Sequence, residues 1–162
     1  MAAPVIRQLV TCALGKEVFA FPVSLVREIL DYRQPFRLPN GPDYLLGLTE
    51  VRGTGVPSLD LRRRLGLESI EPTVHTRIVV VDGVLNDRTL QLGLVTDRVF
   101  EVMSAAEDEI EPAPDIGVPW DSDYIAGVVR RPEGFIVLLD LPRLFARDQP
   151  LLATALGAAE TV

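Results

Sequence analysis

Displacing the sequence against itself by 80 positions brings Tyr44 onto Tyr124, Gly47 onto Gly127, Leu59 onto Leu139, Asp60 onto Asp140, Leu61 onto Leu141 and Arg63 onto Arg143. Leu45/Ile125, Leu48/Val128 and Val56/Ile136 keep their apolar character at the same offset. An offset of 73 aligns the segments before them: Val26 with Val99, Glu28 with Glu101, Ile29 with Val102 and Leu30 with Met103. The change of offset places an insertion in the acidic stretch of the second copy. Both copies run strand, turn, strand and then a short helix capped by an aspartate, so the pattern predicts two similar small β-barrels fused into one unit. A barrel of roughly 70 residues buries only a modest core by itself. The seam between the two copies therefore has to contribute stability, and it forms a groove suited to binding.

Between the copies the same grammar repeats. Val5 to Leu14 is an apolar, β-rich run, turned by Gly15-Lys16 into Glu17–Phe21, whose apolar residues fall on both faces. Pro22 opens a short helical turn, and Glu28–Tyr32 reads as a returning strand. Leu45–Val51 and Val56–Leu59 pair around a turn at Arg52-Gly53-Thr54-Gly55. Asp60 then caps a helix stopped by Gly66. Thr76–Val81, Leu90–Val95, Val99–Met103, Ile125–Val129 and Phe135–Leu139 are the remaining strands, and Asp140 caps a second short helix. The tail from Asp148 forms a last packed helix or frays. The predicted fold class is all-β with short helices, one domain over 1–162. Its two intertwined subdomains span about 15–75 and 76–147, with the N-terminal strand and the C-terminal tail packing on the body.

Composition removes most chemistries. With one histidine (His75) and one cysteine (Cys12), a Cys/His zinc site cannot be assembled within the chain, and no disulfide can close. Serine elbows and glycine-rich phosphate loops are absent from the sequence. The expectation is no enzyme, no cofactor and no metal; the rival from another class is a small acidic-site hydrolase using Glu111, Asp121 and Asp123. Eight acids between Glu101 and Asp123, with no Lys or Arg among them, exceed the whole chain's net charge of −7. They form a solvated loop or a surface that steers a basic partner. Arg62-Arg63-Arg64 sits beside Asp60 and Glu68 in a chain of pI near 4.7, too weak a stripe for nucleic acid. No apolar run reaches membrane-spanning length, and Met1-Ala2-Ala3-Pro4 has no basic n-region, so the expected location is cytoplasmic without direct membrane insertion.

Glu28-Ile29 after the first short turn, then Gly47-x-x-x-x-Arg52-Gly53-x-x-x-Pro57-x-x-Asp60-Leu61, resembles the CheW-like domain of bacterial chemotaxis coupling proteins. Ile110-Glu111-Pro112-Ala113-Pro114 and Tyr124-Ile125-x-Gly127-Val128 continue the likeness, which covers about residues 5 to 147. The resemblance implies two SH3-like five-stranded barrels packed together. It implies a scaffold that docks a chemoreceptor's cytoplasmic tip and the regulatory domain of a CheA-type histidine kinase, recruited to membrane receptor arrays. Where the family reads Asn-Leu-Arg-Gly, this chain has Glu50-Val51-Arg52-Gly53, and a carboxylate cannot donate as an amide does. That departure leaves open a paralogue serving a surface-motility or second-messenger pathway.

The candidate receptor-binding residues are Arg52, Glu28, Val26 and Ile29. Arg52 leaves a turn that Gly53 and the strand pairing hold without it. Val26 and Ile29 are either plain core or groove lining, and Glu28 either pairs locally with an arginine or faces a partner. Gly53, Pro57, Asp60, Gly127 and Asp140 read as the structural motif, the two aspartates as helix caps contributing about 1 kcal/mol each. Trp120, after Pro119 in the acidic stretch, is expected to pin that loop to the body.

Overall fold

In the computed structural model the described residues are 5–39, 41–85, 88–112 and 124–146. Twelve strands form among them: β1 (Ile6–Leu14), β2 (Glu17–Pro22), β3 (Val26–Asp31), β4 (Leu45–Val51), β5 (Thr54–Asp60), β6 (Arg77–Leu85), β7 (Arg88–Thr96), β8 (Arg98–Val99), β9 (Met103–Ala106), β10 (Ile110–Glu111), β11 (Ile125–Arg131) and β12 (Gly134–Leu139). A helix α1 (Leu61–Arg64) follows β5, and α2, through 141–146, follows β12. The all-β class and the aspartate-capped helices match the sequence reading.

One sheet runs β3-β6-β7-β5-β4; the other runs β10-β11-β12-β2-β1-β8, with β9 also on β1. Each curls around its own small core. Val51, Val56, Ile78 and Val80 fill the first, and Leu9, Ala20, Ala105, Val129 and Leu138 fill the second. The largest core lies between the two sheets, where Phe19, Phe21, Leu59, Val79, Leu94, Leu139 and Leu144 meet. β2 shows why both its faces had to be apolar: Phe19 and Phe21 face the core between the sheets while Ala20 faces the inside of its own.

The pairings carry the duplication into three dimensions. β5 joins β7 in parallel through Leu59 opposite Leu94, and β12 joins β2 in parallel through Leu138 opposite Ala20. Leu30 lies opposite Ile78 as Met103 lies opposite Leu9, and Val26 opposite Val81 as Val99 lies opposite Cys12. The offset of 73 is thus a true structural equivalence. It also explains two departures from expectation. The predicted strand Val99–Met103 is broken into β8 and β9, because this edge carries the irregularity that β3 has between Val26 and Glu28. The subdomain boundary expected near residue 75 does not follow the sheets. β6 and β7 complete the sheet of β3–β5, while β1 and β2 cross over to join β8–β12. Antiparallel hairpins are local, but each parallel closure needs a hairpin from a distant part of the chain. Residues 113–123 of the acidic stretch, Trp120 among them, and the tail beyond 146 lie outside the described residues.

Each motif residue has a backbone reason. At Gly47 a β-carbon would run into the Phe36 carbonyl, and at Gly127 it would stand 2.6 Å from the Glu111 carbonyl oxygen. Both sites sit at a register shift, between Leu45 and Gly47 and between Ile125 and Gly127. Pro57 is tolerated inside β5 because Leu48, opposite it, exchanges both its backbone hydrogen bonds with Phe36, and pairing with β7 begins only at Ser58. The Asp60 carboxylate accepts from the backbone N–H groups of Arg62 (3.0 Å) and Arg63, and the Asp140 carboxylate accepts from that of Arg143 (3.1 Å).

Candidate functional site

β4 and β5 are joined by two residues, Arg52 (φ 51°) and Gly53 (φ 81°). Positive φ at both central residues is the primed turn that matches strand twist in a two-residue hairpin. Glycine adopts it freely. Arg52, the non-glycine residue held there among the described residues, carries a steric penalty of about 1–2 kcal/mol. Its side chain is 83% exposed, so no packing offsets that cost. One guanidinium nitrogen donates to the Glu28 carboxylate at 3.3 Å. Glu28 is on β3 and Arg52 on the β4–β5 hairpin, the two edges of one sheet, so this pair closes the barrel at its rim. Glu28 lies opposite Val80, on the face that Leu30 turns to the barrel's own core. At the same rim Arg33 donates to the Glu50 carbonyl at 2.9 Å.

Three of the four candidate residues therefore share this end of the molecule's first barrel. Arg52 and Glu28 touch; Ile29, next to Glu28, is 44% exposed. Val26 separates from Glu28, because the register shift between them sets it opposite Val81, on the face of the core between the sheets, where it is partly buried. Of its two readings, the core one describes its contacts. Arg52 pairs with Glu28 and not with its nearer sequence neighbour Glu50. Gly53 meets no neighbouring atom and serves the turn alone.

The second barrel presents a different surface. An apolar groove of about 660 Å³ runs along it, lined by Val18, Phe100, Met103, Phe135 and Ile136, with Lys16 also among its lining residues. Phe100 and Phe135 remain 41% and 52% exposed, each beneath an arginine: Arg98 over Phe100 at 5.6 Å and Arg130 over Phe135 at 5.3 Å. An exposed apolar surface flanked by charge is the usual form of a protein-binding face.

Between the barrels, Arg62 on α1 grips Asp97 in the β7–β8 link, with nitrogen–oxygen distances of 2.8 and 2.5 Å. The Gly15 N–H, in the β1–β2 turn, donates to the same carboxylate at 2.7 Å. Burial works to raise the Asp97 pKa, but the bonds from Arg62 and Gly15 outweigh it and hold the carboxyl below its ordinary range. Burial, reinforced by the Asp97 charge, pushes the Cys12 thiol up to about 12, which leaves it without nucleophilic character. Sequence reading missed the Arg62–Asp97 contact, since nothing in the spacing of two residues 35 apart signals it.

Among the described residues there is no group of three or more His, Cys, Asp and Glu side chains that could hold a metal. Glu111, from the acidic-site rival, is taken up by Arg130 at 3.3 Å; Asp121 and Asp123 lie outside the described residues. No helix among the described residues is long and apolar enough to cross a membrane.

The CheW-like domain model matches residues 8–149. The chemotaxis protein CheW of Klebsiella aerogenes is 31% identical over 139 residues, covering 86% of this chain and 81% of the relative. That of Bacillus subtilis is 33% identical over 135 residues, 83% of either chain. The crystal structure of the scaffolding protein TtCheW from Thermoanaerobacter tengcongensis superposes with a TM-score of 0.75 at 25% identity, covering 88% of this chain and 93% of that one. With the duplicated barrels, the matched glycine bulges and a family match over most of its length, the chain belongs to the CheW-like domain family.

Proposed function

We propose that this chain is a non-enzymatic adaptor that couples chemoreceptors to a CheA-type histidine kinase at receptor arrays, with the Arg52 hairpin meeting the receptor's cytoplasmic tip. The observation that carries the reading is Arg52 itself. Its backbone is strained and its side chain is exposed, and its one described ion pair is of the kind that contributes about 0–1 kcal/mol. Stability alone favours glycine or asparagine there. A guanidinium offers five donors in a fixed fork, suited to carboxylates or to the carbonyls ending a helix. Glu28 and Ile29 extend that contact with a second charge and an apolar side chain. The groove of the second barrel supports simultaneous engagement of the kinase's regulatory domain, because it lies on the other sheet.

Glu50 supports a narrower version, a specialised member whose receptor belongs to a surface-motility or second-messenger pathway; binding to a panel of receptor fragments decides between them. The direct test is Arg52→Glu, assayed for melting temperature and for binding to a receptor-tip fragment. The reading expects an unchanged fold and affinity lower by about thirtyfold or more, the loss that accompanies removal of a desolvated charged contact. Binding equal to the unsubstituted chain removes Arg52 from the interface.

A further inference from the structure

The seam between the barrels contains an arrangement that the interaction site does not require. The Arg64 guanidinium lies 5.7 Å from the ring centre of Tyr44 and 5.5 Å from that of Tyr124. These two tyrosines are the equivalent residues of the two copies, 80 positions apart. Each is fixed to its own barrel in the same way: the Asp60 N–H donates to the Tyr44 carbonyl at 2.7 Å, and the Asp140 N–H donates to the Tyr124 carbonyl at 2.7 Å. Arg64, on α1 of the first barrel, thus lies between the equivalent tyrosines of the two copies and reaches the second barrel. Its own equivalent in the other copy is Leu144, fully buried, whose carbonyl accepts a hydrogen bond from Arg64 at 3.4 Å. The duplication was broken at this pair of positions, arginine in one copy and leucine in the other. Two arginines here would bring like charges together; a single one is shared by both rings.

We propose that Arg64 is a pin that sets the relative orientation of the two barrels, so that the hairpin face of one and the apolar groove of the other move as a single rigid body. The chemistry suits the task. A planar, weakly hydrated guanidinium sits within cation–π reach of two rings and keeps N–H groups in a fixed fork to donate to a carbonyl; an ammonium lacks that fork. The apolar core beneath drives the barrels together without direction of its own, and the Arg62–Asp97–Gly15 bridge fixes one side of the seam; Arg64, between the two rings and on the Leu144 carbonyl, fixes the other.

The experiment uses the full chain carrying Thr54→Cys and Glu133→Cys, exposed positions in the two corresponding hairpins, with a nitroxide on each. Cys12 is fully buried and stays unlabelled. Pulsed electron paramagnetic resonance then reads the distance between the barrels. The pin predicts one narrow distance peak for the parent, a broadened or displaced one for Arg64→Lys, Arg64→Leu and Tyr124→Leu, and a narrow one for Tyr124→Phe, which keeps the ring. If Arg64→Leu fails to fold, Arg64→Lys and the two Tyr124 variants decide. Peaks as narrow in Arg64→Lys and Tyr124→Leu as in the parent overturn the proposal, leaving orientation to the apolar core and the Arg62–Asp97–Gly15 bridge. Broadening in Tyr124→Phe overturns it as well, since the hydroxyl and not the ring face would then be responsible.

Discussion

Arg52→Asn separates structural from functional roles at the β4–β5 hairpin, because the two roles predict opposite signs. Asparagine tolerates positive φ far better than arginine, so the substitution relieves much of a penalty of about 1–2 kcal/mol. It also deletes the 3.3 Å pair with Glu28, which at 83% exposure on the arginine side contributes at most about 1 kcal/mol. The net effect on stability is between zero and a gain of about 1 kcal/mol, a rise in Tm of roughly 0–4 °C for a domain of this size. Binding moves the other way. Five guanidinium donors are replaced by one short amide that cannot reach as far, and a loss of about 2–5 kcal/mol corresponds to thirtyfold or more in Kd. Thermal unfolding by circular dichroism and isothermal titration with a receptor-tip fragment measure the two quantities on one preparation. A variant that melts several degrees lower refutes the strain argument and makes Arg52 a structural residue. One that melts higher and binds with unchanged affinity refutes the interface role.

Gly47→Ala drives a β-carbon into the Phe36 carbonyl and should cost more than about 2 kcal/mol in chemical denaturation, whereas Gly55→Ala, which meets only the Leu48 side chain at 3.4 Å and lacks a positive φ, should stay within about 1 kcal/mol. Asp97→Asn weakens the charge-assisted bonds from Arg62 and should destabilise the chain by about 1.5–3 kcal/mol at pH 7. Because the folded-state carboxyl of Asp97 is held below its ordinary value, its stabilisation is fully present above the unfolded pKa near 4 and is lost as pH falls through the folded value. Parent and Asp97→Asn denaturation curves should accordingly draw together as the pH falls below the unfolded value; a gap that stays constant through the acid range contradicts the charge argument. Cys12 should resist alkylation in the folded chain at pH 8 and react at the rate of global unfolding; rapid labelling under native conditions would place it at a surface.

The architecture was legible because a duplication constrains far more than a single pattern does. Tyr44/Tyr124, Gly47/Gly127 and Asp60/Asp140 each occupy equivalent backbone situations, down to the same 2.7 Å hydrogen bond behind each aspartate. Strand period and cap chemistry are local, so they were readable from the residues alone. The exchange of hairpins between sheets was not. Nothing in β1 or β6 says which sheet a hairpin joins, since that choice depends on parallel pairing with a strand tens of residues away. The same limit applies to the site. Arg52 stood out as a large exposed residue in a glycine turn. Glu28 could be placed beside it only after β3 and β4 were known to be the two edges of one closed sheet. Val26 and Ile29 look alike in the sequence, and the register shift in β3 puts both on the face of Val79 and Val81, yet Val26 packs partly buried against the core between the sheets while Ile29 stays 44% exposed. The place of Arg64 between the two rings escaped notice for a further reason: Arg62-Arg63-Arg64 reads as one basic run. In the structure its members part, to Asp97, to the Asp60 cap region and to the paired tyrosines.

Coupling itself is the claim on which the rest depends, and reconstitution measures it directly. Vesicles carrying a chemoreceptor from the same cell are mixed with the CheA-type kinase, with and without this chain, then sedimented and assayed for kinase phosphorylation. Adaptor function predicts that the kinase sediments with receptor only when this chain is present. It also predicts that phosphorylation responds to receptor ligand only in that mixture, and that Arg52→Glu abolishes both effects. Kinase that sediments and responds equally well without the chain, or phosphotransfer by the chain alone, would contradict the account.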